Sequence, residues 1–202
     1  AHAMGRKVAA HAHGKIGMEA ALRAGVDSIE HGSFLDAETA DLFVATGAYL
    51  VPTLIAGHTV ERIATEQPDF YVPEVRQKAI EVGPIMKTAL RTAYEKGVKI
   101  AFGTDAGVND HGTNAYEAVL MNEAGMPERA ILISATINAA ELIGITDITG
   151  TIEVGKDADI IAVGGNPLED ISTLLQPSYV MVRGNEVDLD VPPVNLFPWP
   201  DI

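Results

Sequence analysis

Val8-Ala9-Ala10-His11-Ala12-His13-Gly14 carries an apolar run directly into two histidines one residue apart and stops at a glycine. Side chains alternate along a strand, so His11 and His13 are predicted to share one face at the strand's C-terminal end. In parallel α/β folds that end is where active sites are assembled. Two later stretches repeat the form. Val26-Asp27-Ser28-Ile29-Glu30-His31-Gly32 ends in histidine and glycine, and Val98-Lys99-Ile100-Ala101-Phe102-Gly103-Thr104-Asp105 ends in aspartate. Three strand ends, each delivering a metal-competent side chain, predict one converging site.

Helical patterns fill the intervals. Residues 16–24 read as a helix stopped by Gly25. Asp36, with Glu38 in the first turn, predicts a capped helix running to Thr46 and closed by Gly47. Residues 49–54 read as a third strand, with Pro52 near its end because proline cannot donate to a ladder. Residues 56–73 lack a clean period and are broken by Gln67-Pro68 and Val72-Pro73, which predicts an irregular excursion over the strand ends. From Pro73 to Lys96, the residues Val75, Ala79, Val82, Met86, Ala89 and Ala93 form one apolar helical face, with a kink expected at Gly83-Pro84. Asn114-Ala115-Tyr116-Glu117 resembles a capping box. Pro127 suits the first turn of a last helix, whose stripe is Ala130, Ile133, Ile137 and Ala140.

Four strands alternating with helices predict a parallel sheet. Beyond Gly144 the pattern changes to short β-rich runs at 151–154, 159–163 and 179–183, with Gly184-Asn185 as a hairpin turn. These readings divide the chain into an α/β part over 1–145, a small antiparallel β part over 146–190, and an extended proline-rich tail over 191–202.

Of the 202 residues, 47% are hydrophobic, enough for a substantial core. The formal net charge of −14 argues against nucleic acid and anionic membrane as partners, since both call for basic patches. No cysteine is present, so disulfides and thiolate-bound zinc are excluded. No apolar run approaches the ~20 residues of a membrane-spanning helix, and a cytoplasmic location is the default expectation. The opening Ala1-His2-Ala3-Met4-Gly5-Arg6-Lys7 reads as the end of a helix, which suggests the C-terminal portion of a longer protein.

At His11, His31 and Asp105 together the chain resembles the amidohydrolase superfamily, most closely its imidazolonepropionase-like and Xaa-Pro dipeptidase branch. Four motifs carry the resemblance: His11-Ala12-His13-Gly14, Ser28-Ile29-Glu30-His31-Gly32, Phe102-Gly103-Thr104-Asp105-Ala106-Gly107 and Gly155-Lys156-Asp157-Ala158-Asp159-Ile160. It implies the C-terminal half of a (β/α)8 TIM barrel, strands five to eight, followed by part of a small β-sandwich. It also implies one or two divalent metal ions, zinc foremost, with His11, His31 and Asp105 as ligands. Asp105 would take the proton of the attacking water, and His13 would polarise the substrate carbonyl. His111 resembles a substrate-contacting histidine. The family's strand-one His-x-His pair and strand-four lysine are not in these residues, so the N-terminal half of the same protein is an expected partner. Open sheet edges further lead us to expect homo-oligomers.

Imidazole and carboxylate suit such a site, because a bound divalent cation lowers the pKa of water to about 7. The reading is therefore a hydrolase cleaving an amide bond in a dipeptide or small molecule, as a dipeptidase or carboxypeptidase. The rivals are a hydrolase or deaminase of a cyclic or xenobiotic amide at the same site, and a non-catalytic truncated half-barrel. His2 and His58 are assigned structural or surface places. Tyr49 and Thr53 are candidate pocket residues. Glu30, alternating away from His31, is expected to pack outside the barrel.

Overall fold

A computed structural model of the chain describes residues 1–190; the expected proline-rich tail lies outside the described residues. Four strands, β1 (Ala9–Ala12), β2 (Ser28–His31), β3 (Tyr49–Val51) and β4 (Lys99–Ile100), form one parallel sheet in that order. Between them run α1 (Lys15–Arg23), α2 (Ala37–Thr46), α3 (Leu54–Glu66) and α4 (Pro73–Glu95). The fold is α/β, with helices packed against a parallel sheet. The helix ends follow the local chemistry. Asp36 caps α2 by accepting the Thr39 N–H at 2.9 Å, and Gly47 closes that helix at φ 73°.

Register divides the sheet into two faces. Ala10, Ile29, Leu50 and Ile100 lie in line across the strands and face the helices. There they meet Met18 and Leu22 of α1, Phe43 of α2 and Leu90 of α4 in one buried cluster. On the opposite face Tyr49, Val51 and Ala101 form a second, smaller cluster. His11, Glu30 and Val51 are in line on this second face.

The structure departs from the sequence reading in several places. Residues 54–66, most of them read as irregular, form α3. Its buried residues Leu54, Ile55, Ala56, Thr59, Ile63 and Ala64 spread over more than one stripe, because α3 is held by α4 and by α5 (Tyr116–Glu123). A helix covered on two sides loses the single apolar face on which periodicity depends. Strand β3 accordingly ends at Val51, and paired residues of β4 are limited to Lys99 and Ile100. Asn114 does not cap α5; its amide donates to Thr104 Oγ1 at 3.3 Å. The last helical run is α6 (Glu128–Ile133), a π turn over Ser134–Asn138, and α7 (Ala139–Ile143). Of the predicted stripe, Ala140 is buried, whereas Ile137, inside the wider turn, is 44% exposed.

Beyond α7 the described β region is an antiparallel sheet of β5 (Ile160–Val163), β6 (Pro177–Val182) and β7 (Asn185–Glu186). The expected run at 151–154 is not a strand, and Ile152 and Val154 are exposed. The hairpin turn falls one residue earlier than read, on Arg183 and Gly184, with φ of 50° and 76°. Two consecutive left-handed residues are what a tight hairpin with strand-compatible twist demands. Among the described residues no helix is long and apolar enough to cross a membrane.

Candidate metal centre

Three imidazoles gather at the C-terminal ends of β1 and β2. One ring nitrogen from each of His11, His13 and His31 lies within 4.8 Å of the others. The rings of His13 and His31 stack at 4.8 Å, and His11 meets both edge-on at 4.8 and 4.5 Å. His11 and His13 reach the site by strand alternation, as the sequence predicts. His31 does not. It pairs with Ala12, whose side chain packs toward the helices, and plain alternation would send it there too. Its φ of 72° turns the side chain back toward His11.

The same geometry corrects the reading of Glu30. It lies in line with His11 and Val51, on the second face of the sheet, rather than outside. Its carboxylate accepts from Ser28 Oγ at 2.6 Å. Burial pushes the Glu30 carboxyl above its usual range, against the pull of the Ser28 hydroxyl, and nearby Asp105 adds to the rise.

Two hydroxyls hold the imidazoles. His13 Nδ1 lies 2.7 Å from Ser33 Oγ, and His31 Nδ1 lies 2.6 Å from Thr53 Oγ1. With Nδ1 engaged, Nε2 is the nitrogen left in both rings, free to bind a cation in His31 and to bond a substrate in His13. Burial, then repulsion from His13 and His11, lowers His31 to about 4 against the attraction of Asp105. His13 is lowered as well, by burial and then by His11. Near neutral pH both are unprotonated, the form that binds a cation. The donor set and its hydroxyl supports therefore fit a divalent metal ion.

Asp105 lines the same cavity, about 230 Å³ in volume, but stands outside the close group of three nitrogens. It too has a left-handed backbone, with φ 51°. The preceding chain is tied down from the π turn: Phe102 N–H donates to Ser134 O at 3.0 Å, and Asn138 donates to Ile100 O at 2.8 Å. The rest of the cavity is apolar, with Val60 from α3, Ala79, Val82 and Met86 from α4, and Val108 beside Asp105.

Not every candidate arrives. His111 is exposed and does not line this cavity. Tyr49 belongs to the opposite end of the sheet, beside Lys99 and Glu141. Thr53 reaches the site through its bond to His31. Ser33 carries no signal in the sequence, and Glu117, read as part of a capping box on its own helix, serves α3 instead. Glu117, in α5, is fully buried, and its two oxygens accept the Leu54 and Ile55 N–H groups at 2.9 and 2.7 Å. Burial pushes it up to about 8, against those two donors. The signal for Glu117 was a charged residue in an otherwise apolar helical stretch, Tyr116-Glu117-Ala118-Val119-Leu120-Met121.

The chain is 51% identical to a Xaa-Pro dipeptidase of known structure, solved with methionine bound in its active site, with a TM-score of 0.88 over 93% of this chain and 46% of that one. A prolidase solved with N-methylphosphonate-L-proline is 33% identical, with a TM-score of 0.83 over 93% of this chain and 46% of that one. Ochratoxinase from Aspergillus niger is 34% identical over 177 residues, 87% of this chain and 36% of the relative. The chain thus spans less than half the length of each of these proteins. Residues 1–187 match the amidohydrolase family over nearly the whole sequence, and the chain belongs to that family.

Proposed function

We propose that this chain is the C-terminal part of a metal-dependent hydrolase that cleaves an amide bond, a dipeptidase of the Xaa-Pro type. The observation that carries the proposal is the gathering of three imidazole nitrogens within 4.8 Å at parallel strand ends. In this reading β1 to β4 are strands five to eight of a (β/α)8 barrel. Residues 146–190 are part of a β-sandwich, and the remaining strands come from the rest of the same polypeptide.

His11, His31 and Asp105 would hold a divalent cation, zinc by the chemistry of the imidazoles. When bound, such an ion supplies Lewis acidity and a water acidic enough to lose its proton near neutral pH. Asp105 accepts that proton and delivers it to the departing amine nitrogen. His13 donates from Nε2 to the carbonyl oxygen as negative charge develops there, which requires Ser33 to donate its hydroxyl proton to His13 Nδ1. Loss of one such donor costs roughly 3 kcal/mol of transition-state stabilisation. The apolar wall of Val60, Val82 and Met86 supports a substrate with an uncharged, apolar group beside the scissile bond. Likeness to ochratoxinase supports a second reading, a xenobiotic amide as substrate.

The test is metal analysis and hydrolysis of a dipeptide library by the full-length protein. Bound zinc, with release of amino acids from apolar dipeptides, is the expected result. Full-length protein that is folded, binds no divalent metal and hydrolyses no amide would overturn the proposal.

A further inference from the structure

The geometry points to Glu117 as a positioning residue for His31, acting through the first turn of α3. This inference rests on the reading of His31 as a metal ligand. A helix N-terminus leaves its first backbone N–H groups without partners, and the N-cap side chain ordinarily takes one of them. In α3 the N-cap residue is Thr53, and its side chain makes no capping bond. Its hydroxyl is turned to His31 Nδ1 instead, at 2.6 Å. The capping role is taken by Glu117, distant in sequence, which accepts from both Leu54 and Ile55.

Glu117 thereby releases the Thr53 hydroxyl for the imidazole. Both ends of that bond stand on strained backbone. Thr53 has φ 48° and His31 φ 72°, left-handed values that a non-glycine residue adopts only at a cost. Strand pairing does not set the direction of the His31 ring, because alternation alone would turn it away. What holds it is the Thr53 hydroxyl, and what holds Thr53 is the doubly anchored turn behind it. Pro52, fully buried, precedes that turn, and Glu117 itself has no exposed surface, so the anchor has little freedom to shift.

The experiment uses the full-length protein and Zn2+ alone as the probe. Zinc affinity is measured by competition with a chromogenic chelator, on protein shown to be folded by circular dichroism. At pH 9, above the value of about 8 for Glu117, the carboxylate offers two acceptors and Glu117→Gln leaves one for two N–H groups, while Thr53→Val removes the hydroxyl and keeps the side-chain shape. Each is expected to weaken zinc binding by about 10–100-fold, the usual effect of losing a group that orients a ligand. Thr53→Ser, which restores the hydroxyl, returns most of the affinity. The double variant binds no more weakly than Thr53→Val, since both changes break one relay.

A purely structural cap predicts otherwise: Glu117→Gln would melt earlier, yet bind zinc as the wild type does while folded. That result overturns the inference. Should the Gln variant fail to fold, Glu117→Asp is measured in its place, and unchanged affinity there overturns it equally. Wild-type protein with no zinc affinity, or a His31→Asn variant that keeps full affinity, overturns the metal reading itself and this inference with it.

Discussion

One methyl group added at Gly103 tests whether the second face of the sheet is packed tightly enough to place Asp105. A Cβ built there lies 2.4 Å from Val51 Cγ1, about 1 Å short of ordinary van der Waals contact. Val51 is 7% exposed and β-branched, so it has few alternative rotamers, and Tyr49 and Ala101 pack beside it. The segment after β4 must therefore move. Overpacking of this kind costs about 1–3 kcal/mol, partly offset by the lower entropy of an unfolded chain with alanine in place of glycine, up to ~1 kcal/mol. The net loss expected for Gly103→Ala is about 1–2 kcal/mol. Val51→Ala alone, which empties the space instead, is expected to cost about 1–3 kcal/mol. Together they should cost less than their sum by roughly 1–2 kcal/mol, because the new methyl occupies the vacated volume. Urea unfolding of the full-length protein reads all four corners of the cycle. The reasoning is refuted if the double variant equals the sum within ~0.5 kcal/mol, or if Gly103→Ala is as stable as the wild type. Asp105 lies two residues further on, so the same cycle followed by turnover should show partial recovery in the double variant.

Other consequences are open to direct measurement. Asp36→Ala removes the cap of α2 and should cost about 1 kcal/mol. Lys15, followed by the Thr39 N–H, holds the Asp36 carboxyl down to about 2, so the cap's contribution is full above its ordinary value and disappears as pH falls through 2. The stability gap between wild type and Asp36→Ala should therefore narrow from pH 4 downward, and a gap independent of pH would disprove the assignment. Chelation of the metal should lower the unfolding temperature of the full-length protein, and Zn2+ should restore it. At a free concentration 100-fold over Kd the expected gain is about 2.7 kcal/mol. His31→Asn should abolish that difference, and a variant that still responds fully to Zn2+ would exclude His31 as a ligand. Arg183→Asn places a residue tolerant of positive φ in the β6–β7 turn and should stabilise the hairpin by up to ~1 kcal/mol. An unfolding midpoint no higher than that of the wild type would count against the turn assignment.

Much of this protein is legible in the sequence because its local rules agree with its fold. Apolar runs closing on His11, His31 and Asp105 mark three parallel strands or their extensions. Gly25 and Gly47 stop helices where a left-handed residue is needed, and Asp36 caps α2 as its position suggests. Alternation alone brings His11 and His13 together. Tertiary structure decides the rest, where local preference is overruled. His31 and Thr53 occupy left-handed backbone that neither residue type favours, so no propensity announces the turn of the His31 ring toward His11. That turn also reverses the side assigned to Glu30, because its predicted orientation was measured from His31. Helix α3 is hidden in the pattern because α4 and α5 cover it from different sides. Glu117 finds its partners in Leu54 and Ile55, more than 60 residues away in sequence. The sequence by itself therefore determines the parallel strands, most helices and the identities of the metal-competent side chains, since these depend on spacing along the chain. Only the folded molecule decides which of them meet, and what holds each ring in place, since those depend on backbone strain and on contacts between distant segments.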